Sequence, residues 1–497
     1  MADSNVLFVT LDQMPAHILR GPLSQHVPTP GFDRLMAEGV SFDRHYTVTV
    51  PCGPARASLL TGLYAMNHRS IRNGTPLARH HATVATEARK AGYEPLLFGY
   101  TDTSPDPTGR APEDPDLTIY EGVAPGFREL VEMRLEAGLE WPAYLKNRGY
   151  VFDLASFGHL VPVPPEGRTG RPSDPALYSA RDSDTAYLTD RTLTALDIRK
   201  DRPWFAHLAY IRPHPPLVAP APYNSLVDPA ALPSPNLARP DHPFVDAWFS
   251  EPAETHLYLG HDGDGRSMTP ELVAELRAIY LGLVAEVDHH LGRVLDWLDA
   301  TGQAERTLVI VTVDHGEMLG DKHMWGKHSV FEPAWHVPLI VRDPRHRGAA
   351  GRRVEAITET VDIAPTILDW IGLEPPPQMD GLPLAPWLKG ETPAWRDAAF
   401  LEIDLSNPVK PTRFQKHFGL DANQCNAAIM REKRWKLVYF NGGVAPMLFD
   451  LENDPGETVN LASDPSHAGE LTRLMARMLD RRMTRADRRL TGYAIGG

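Results

Sequence analysis

Three segments of the chain are apolar almost without interruption: residues 6–11, closed by Asp12, residues 307–313, closed by Asp314, and residues 338–341, closed by Arg342. Apolar runs that do not alternate with polar positions predict strands buried on both faces, as in a parallel sheet. Elsewhere the apolar positions recur at three- and four-residue steps. That period predicts helices over 30–39 with Gly39 as a stop, over 54–64, over 83–91 with Gly92 as a stop, and over 270–300. The last is the clearest, with Leu276, Ile279, Leu283, Val287, Leu291 and Val294 on one stripe. Strands alternating with helices predict an α/β fold, with a doubly wound, mostly parallel central sheet flanked by helices. Residues 101–270 are rich in Pro, Asp and Gly, and are expected to decorate that sheet as long loops. From about 385 the texture changes. Segments 398–403, 427–431 and 435–440 predict a small antiparallel sheet, and an amphipathic helix over about 465–485 closes the pattern. The expected division is an α/β catalytic domain over 1–385 and a C-terminal α+β subdomain over 386–497.

Composition narrows the classes. With 42% hydrophobic and 23% charged residues among 497, the chain can bury a sizeable core. Acids outnumber bases 64 to 50, a formal charge of −14, and no run of Lys or Arg builds a basic face, so nucleic acid is not an expected partner. Proline, at 47 residues, stands at roughly twice its usual frequency, which predicts long, stiffened loops. Two cysteines, Cys52 and Cys425, cannot build a disulfide framework. The start of the chain has no basic segment followed by an apolar one, and no apolar run reaches 18 residues. A soluble cytoplasmic protein with no membrane partner is expected.

Candidate chemistry gathers at strand ends. Asp12, followed by Gln13, and Asp314, followed by His315, each lie just past a predicted buried strand, where open α/β sheets collect their ligand sites. Each aspartate alone reads equally as a turn or capping residue; as a pair with His315 they read as metal ligands. Cys52 opens Cys52-Gly53-Pro54-Ala55-Arg56, and Pro54 suits a first helical turn. Residue 52 then occupies a helix N-terminus, where an anion is stabilised, with Arg56 one turn further on. A space-filling buried cysteine and a reactive thiolate are the other readings of the same position.

Cys52-Gly53-Pro54-Ala55-Arg56 resembles the Cys-x-Pro-x-Arg signature of the type I sulfatases, in the alkaline phosphatase superfamily. The resemblance extends to Asn5, Asp12-Gln13, 307–317, Gly326-Lys327-His328, 360–366, and Leu448-Phe449-Asp450-Leu451 with Asn453-Asp454-Pro455. It implies an alkaline phosphatase-like fold and conversion of Cys52 to formylglycine by a formylglycine-generating enzyme. Asn67-His68-Arg69, Arg72-Asn73-Gly74-Thr75-Pro76-Leu77, Gly99-Tyr100-Thr101 and Tyr210-Ile211-Arg212-Pro213-His214-Pro215-Pro216 are similar, more narrowly, to the branch of phosphonate monoester hydrolases and their arylsulfatase relatives. Two departures from the wider sulfatase pattern, Gln13 after Asp12 and His315 after Asp314, agree with that branch. The implied metal set is Asp12, residue 52, Asp314 and His315. Its mixed oxygen and nitrogen donors favour Mn²⁺, with Ca²⁺, Zn²⁺ or Fe²⁺ as alternatives.

The resemblance also implies roles. Arg56 orients and stabilises the formylglycine, Lys327 binds the transferred oxygens, and His214 binds them or protonates the leaving oxygen. Gln13, Asn73 and Tyr100 line the pocket. Sulfate monoesters, phosphonate monoesters and phosphodiesters all carry a single charge and fit such a site. Asp102 stands where the phosphonate hydrolases carry a neutral threonine, and a carboxylate there disfavours added substrate charge. The chain also ends at Gly497, with a shorter tail than those that help assemble tetramers in the phosphonate hydrolases. Both features tilt the expectation toward an arylsulfatase, promiscuous on phosphonate monoesters and phosphodiesters, and a homodimer. A phosphonate monoester hydrolase or phosphodiesterase is the alternative. An inactive metal-binding relative and a metal-independent hydrolase using unmodified Cys52 are the readings from other classes.

Overall fold

A computed structural model describes residues 4–252 and 264–487. Thirteen strands are described: β1 (Asn5–Asp12), β2 (Val40–Tyr46), β3 (Thr49–Val50), β4 (Pro95–Gly99), β5 (Arg128–Glu132), β6 (Phe205–Pro213), β7 (Thr307–Val313), β8 (Leu339–Arg342), β9 (Arg353–Glu359), β10 (Ala398–Asp404), β11 (Asn426–Glu432), β12 (Trp435–Phe440) and β13 (Met447–Asp450). Eight form the central sheet in the order β5-β4-β6-β1-β7-β8-β2-β9. β1 runs at its centre, parallel to β6 on one side and to β7 on the other. All three are buried along their whole length, because helices cover both faces of the sheet. This is the alkaline phosphatase-like α/β architecture expected.

The strand expected over 338–341 is present as β8, but it pairs antiparallel with both β7 and β2. The expectation of a parallel strand is thereby corrected. A run covered on both faces reads the same in either direction, so continuous apolarity reports burial and not polarity of the chain. Strands β2, β4, β5, β6 and β9 were not expected. β6 is the instructive case, since it lies within 101–270 and is the direct neighbour of β1. Its apolar run is broken by His207 and Arg212, which are buried and each bonded to another side chain, Thr10 and Asp184. The His207 ring stacks on Phe8 at 4.5 Å and its Nε2 bonds Thr10 Oγ1 at 3.1 Å. The same stretch contributes helices Glu140–Asn147 and Asp184–Arg199.

The long helix Pro270–Ala300 starts on Thr269, whose side chain accepts from Leu272 N, with proline in the first turn. Its stripe packs into the cluster beneath β1 and β7. The smaller sheet has the order β13-β12-β11-β10-β3 and is antiparallel except at one edge. There β3, from the N-terminal part of the chain, pairs parallel with β10 through Thr49 and Glu402 and through Val50 and Ile403. Helix Ala468–Arg485 covers part of this sheet. The final residues, on which the dimer expectation rests, lie outside the described residues. Among the described residues, no helix is long and apolar enough to cross a membrane.

Candidate active site

Strand register brings the two aspartates together. Leu11 of β1 pairs with Val313 of β7, so the next residue of each strand, Asp12 and Asp314, emerges at the same level beyond the sheet. The Asp314 amide donates back to the Leu11 carbonyl at 3.2 Å and fixes that level. Helix Cys52–Thr61 points its N-terminus at them. Its N-cap is Pro51, which offers no side-chain acceptor, and Asn73 substitutes, its Oδ1 accepting from Gly53 N at 2.9 Å. The fit at Gly53 is tight: a Cβ there would lie 3.0 Å from the Asp102 carbonyl and 3.2 Å from Asn73 Oδ1, so these neighbours would have to give by a few tenths of an ångström.

Donor atoms of Asp12, Cys52, Asp314 and His315, all buried, lie within 4.8 Å of one another. His315 Nε2 is 3.1 Å from Cys52 Sγ. Its Nδ1–H donates to the Gly316 carbonyl at 3.1 Å, which leaves the Nε2 lone pair facing the cluster. Burial, with Lys327 nearby, holds the His315 imidazole well below its usual range, hence neutral. Burial and the neighbouring Asp12 push Asp314 up, the strain of two carboxylates sharing one buried place. A divalent cation relieves that strain, and carboxylates with one neutral imidazole form a donor set that accepts one. The residues therefore fit a metal ion. Burial, and then Asp12, also push the Cys52 thiol well above its ordinary value, which makes it a poor thiolate as it stands.

Arg56 is 1% exposed and lies behind the cluster. Its Nε donates to Asp314 Oδ2 at 3.0 Å, and its Nη2 to Asp12 Oδ2 at 3.2 Å and to the Tyr100 hydroxyl at 3.1 Å. The Tyr100 hydroxyl in turn donates to Asp12. Both carboxylates are thus held by one fork, and no hydrogen bond links Arg56 to Cys52 itself.

Across the cavity, the Lys327 ammonium donates to Gln13 Oε1 at 2.7 Å and to His214 Nε2 at 3.0 Å. Burial works against its charge, but the acidic groups beyond it, Asp12 and Asp314 among them, more than restore it. Burial and Lys327 push His214 down to about 3, so the ring is neutral, with Nδ1–H on the Pro215 carbonyl. Asp102, at φ 51°, is buried on the near wall, and its Oδ1 has no hydrogen-bond partner. Burial raises its carboxyl well above the ordinary range.

Asp12, Gln13, Cys52, Asn73, Tyr100, Asp102, His214 and Lys327 line one cavity of about 580 Å³, while Arg56, Asp314 and His315 lie beneath its floor and do not line it. Asp314 and His315 meet Asp12 and Cys52 in the donor cluster, and Arg56 reaches it through its bonds to Asp12 and Asp314. Sequence reasoning missed the cavity's outer walls: Tyr120 and Glu121 on one side, and Trp248, Trp325, Phe414 and the 404–416 segment on the other. Glu317, at the end of the 307–317 segment, is fully buried and accepts from Gln13 Nε2, Leu319 N and Gly326 N, contacts that the sequence did not reveal. A carboxylate that only accepts forces Gln13 to turn its NH₂ inward and its oxygen toward Lys327. The one available signal was its position two residues after His315. A second cavity of about 580 Å³ lies on the open face of the small sheet, shares Arg72, Asp404 and Ser406 with the first, and contains no such donor cluster.

Sheet, strand-end cluster and facing cations define an alkaline phosphatase-like hydrolase of sulfate or phosphate esters. A family model described as Sulfatase matches residues 4–373, and one described as N-sulphoglucosamine sulphohydrolase, C-terminal, matches residues 320–484. The chain belongs to the sulfatase family. Its fold superposes with a TM-score of 0.94 on the phosphonate monoester hydrolase SpPMH from Silicibacter pomeroyi, at 50% identity over 99% of this chain and 98% of that one. The phosphonate monoester hydrolase of Agrobacterium radiobacter gives 0.91 at 40% identity, over 99% and 98%. The multifunctional alkaline phosphatase superfamily protein PehA of Trinickia caryophylli is 37% identical over 99% of this chain and 98% of its own length.

Proposed function

We propose that the protein hydrolyses monoanionic phosphonate monoesters and phosphodiesters as its main activity, and aryl sulfate monoesters as a side activity. The observation that carries the choice of ester is the half-identity, over nearly the whole chain, with the Silicibacter phosphonate monoester hydrolase. The tilt toward sulfate read from the sequence rested partly on a charged Asp102. Burial favours a neutral carboxyl there, a hydrogen-bonding group that rejects neither ester. Sulfate is kept as the second reading because the aromatic wall of Trp248, Trp325 and Phe414 suits an aryl leaving group on either centre.

Asp12, residue 52, Asp314 and His315 would hold one divalent ion, Mn²⁺ first among the candidates. When bound, the ion supplies positive charge that acidifies a hydroxyl and offsets the ester's oxygens. Formylglycine, made from Cys52 by a formylglycine-generating enzyme, would supply as its hydrate the hydroxyl nucleophile that the thiol does not.

The remaining chemistry falls to the chain's own side chains. Arg56 fixes the two carboxylates in place. Lys327, steadied by Gln13, presents its ammonium to the transferred oxygens, where preorganised charge counts most. His214 is neutral in the free protein, and an anion arriving beside it raises its affinity for a proton. The proton then stands on Nε2, within reach of the leaving oxygen.

The test is kcat/KM for a 4-nitrophenyl group carried on phenylphosphonate, phosphodiester, sulfate and phosphate monoester, with conversion at position 52 verified by peptide mass. Phosphonate or diester should lead sulfate by at least about tenfold, ~1.4 kcal/mol of transition-state preference. A sulfate lead of that size overturns the choice of ester.

A further inference from the structure

We propose that Arg212 and Asp184 form a buried clamp that positions His214, an inference that rests on the reading of His214 as the group acting on the leaving oxygen. His214 sits in the loop that follows β6, in the run Pro213-His214-Pro215-Pro216. Three of those four residues have no N–H, so the loop cannot tie itself down with its own amides beyond the bond from His214 N to the Ile211 carbonyl, 3.0 Å. What it offers are carbonyls, and these need a donor from outside.

Arg212 is that donor. Its Nη1 donates to the His214 carbonyl at 3.1 Å and to the Pro216 carbonyl at 2.8 Å, bridging the turn on either side of Pro215. The guanidinium is held in turn. Its Nε donates to Asp184 Oδ2 at 2.8 Å, and both side chains are almost wholly buried, at 1% and 6% exposure. Asp184 is fixed at the start of helix Asp184–Arg199, where its Oδ1 accepts from Thr185 N at 2.9 Å.

The clamp reaches the chemistry through one ring. The Pro215 carbonyl, at the centre of the bridged turn, takes the His214 Nδ1–H, which leaves Nε2 directed at Lys327. Loosening Arg212 therefore loosens the ring's orientation and not the cluster around Cys52. A planar fork that serves a carboxylate and two carbonyls at once cannot be replaced by the single point charge of a lysine. Arg212 and Asp184 are positioning residues, since neither lines the cavity.

A merely structural ion pair and a positioning clamp differ in which substrates suffer. A group that protonates the leaving oxygen matters more when the leaving group is a poor one. We would measure kcat and KM for the 4-nitrophenyl and the unsubstituted phenyl esters of phenylphosphonate. The proteins are the wild type, His214→Asn, Arg212→Lys, Asp184→Asn and the Arg212→Lys/His214→Asn double variant, each matched for metal content and conversion at position 52.

His214→Asn should lose at least about tenfold more kcat on the phenyl ester than on the nitrophenyl ester. Arg212→Lys should show the same bias in weaker form, confined to kcat, and should cost nothing further once His214 is gone. Equal losses on both esters, or losses that multiply in the double variant, overturn the clamp. If His214→Asn itself shows no bias, the reading of His214 fails, and non-additivity in the double variant alone decides the clamp. Should Arg212→Lys not fold, Asp184→Asn, which keeps the guanidinium but removes its counter-charge, carries the same comparison with its own double variant.

Discussion

Lys327 and Gln13, more than 300 positions apart in the chain, meet at 2.7 Å, ammonium to amide oxygen. The contact has one orientation, because Glu317 takes the NH₂ side of the same amide. Replacing Lys327 by Ala removes the preorganised cation that faces Cys52. The expected loss is about 10²–10³ in kcat/KM on every monoanionic ester, with melting temperature little changed. Steady-state kinetics beside a thermal melt check it, and a loss below about threefold refutes the assignment.

Gly53→Ala probes the fit at the start of helix Cys52–Thr61. The new Cβ meets the Asp102 carbonyl at 3.0 Å and Asn73 Oδ1 at 3.2 Å, so the cap and the near wall must both give. Displacing residue 52 by a fraction of an ångström is expected to lower kcat/KM by about a hundredfold. Kinetics together with a crystal structure of the variant would show whether the displacement accompanies the loss.

Glu286 makes stability pH-dependent. Fully buried on the long helix, it is pushed by burial, and then by Asp184, from the ordinary 4.5 to about 8. The folded protein keeps that proton while the unfolded chain releases it, so stability falls as pH rises from about 4.5 to about 8, by at most about 1.4 kcal/mol per pH unit. Glu286→Gln has no proton to lose. Chemical denaturation at pH 5 and pH 8 should give a shallower slope for the variant, which should be the more stable protein at pH 8. Parallel slopes would rule the effect out.

Dialysis against a chelator should abolish turnover and lower stability by about 2 to 4 kcal/mol, since binding to the folded state alone stabilises by mass action. Mn²⁺ should restore both better than Ca²⁺. Elemental analysis of the re-loaded protein supplies the stoichiometry, expected to be one ion per chain. Asp314→Asn should bind the ion weakly and gain little from its return.

Much of the site was legible because a buried parallel strand announces itself and ends where ligands gather. β1 and β7 delivered Asp12 and Asp314, and a five-residue motif delivered Cys52 and Arg56. The direction of β8 was hidden because burial on both faces erases the alternation that separates one strand environment from another. β6 was hidden for the opposite reason: its His207 and Arg212 interrupt the apolar run, and each is held by a side chain distant in sequence. Glu317, Arg212 and Asp184 act through bonds to backbone or to other side chains, and such contacts leave no period for a sequence to display.

The pairing of β3 with β10 has a consequence in time. Thr49 and Val50 stop one residue short of Cys52, with Pro51 between, and their partners Glu402 and Ile403 are made much later by the ribosome. Residue 52 is only 4% exposed in the finished protein. On the proposed conversion of Cys52, an enzyme that binds the peptide in extended form would have its opportunity while the intervening roughly 350 residues are synthesised, on the order of tens of seconds. Once β10 arrives, the peptide is stitched into a sheet. On that proposed conversion, maturation and folding would be competing clocks, and a host that translates quickly or modifies slowly would yield protein that is correctly folded yet inactive.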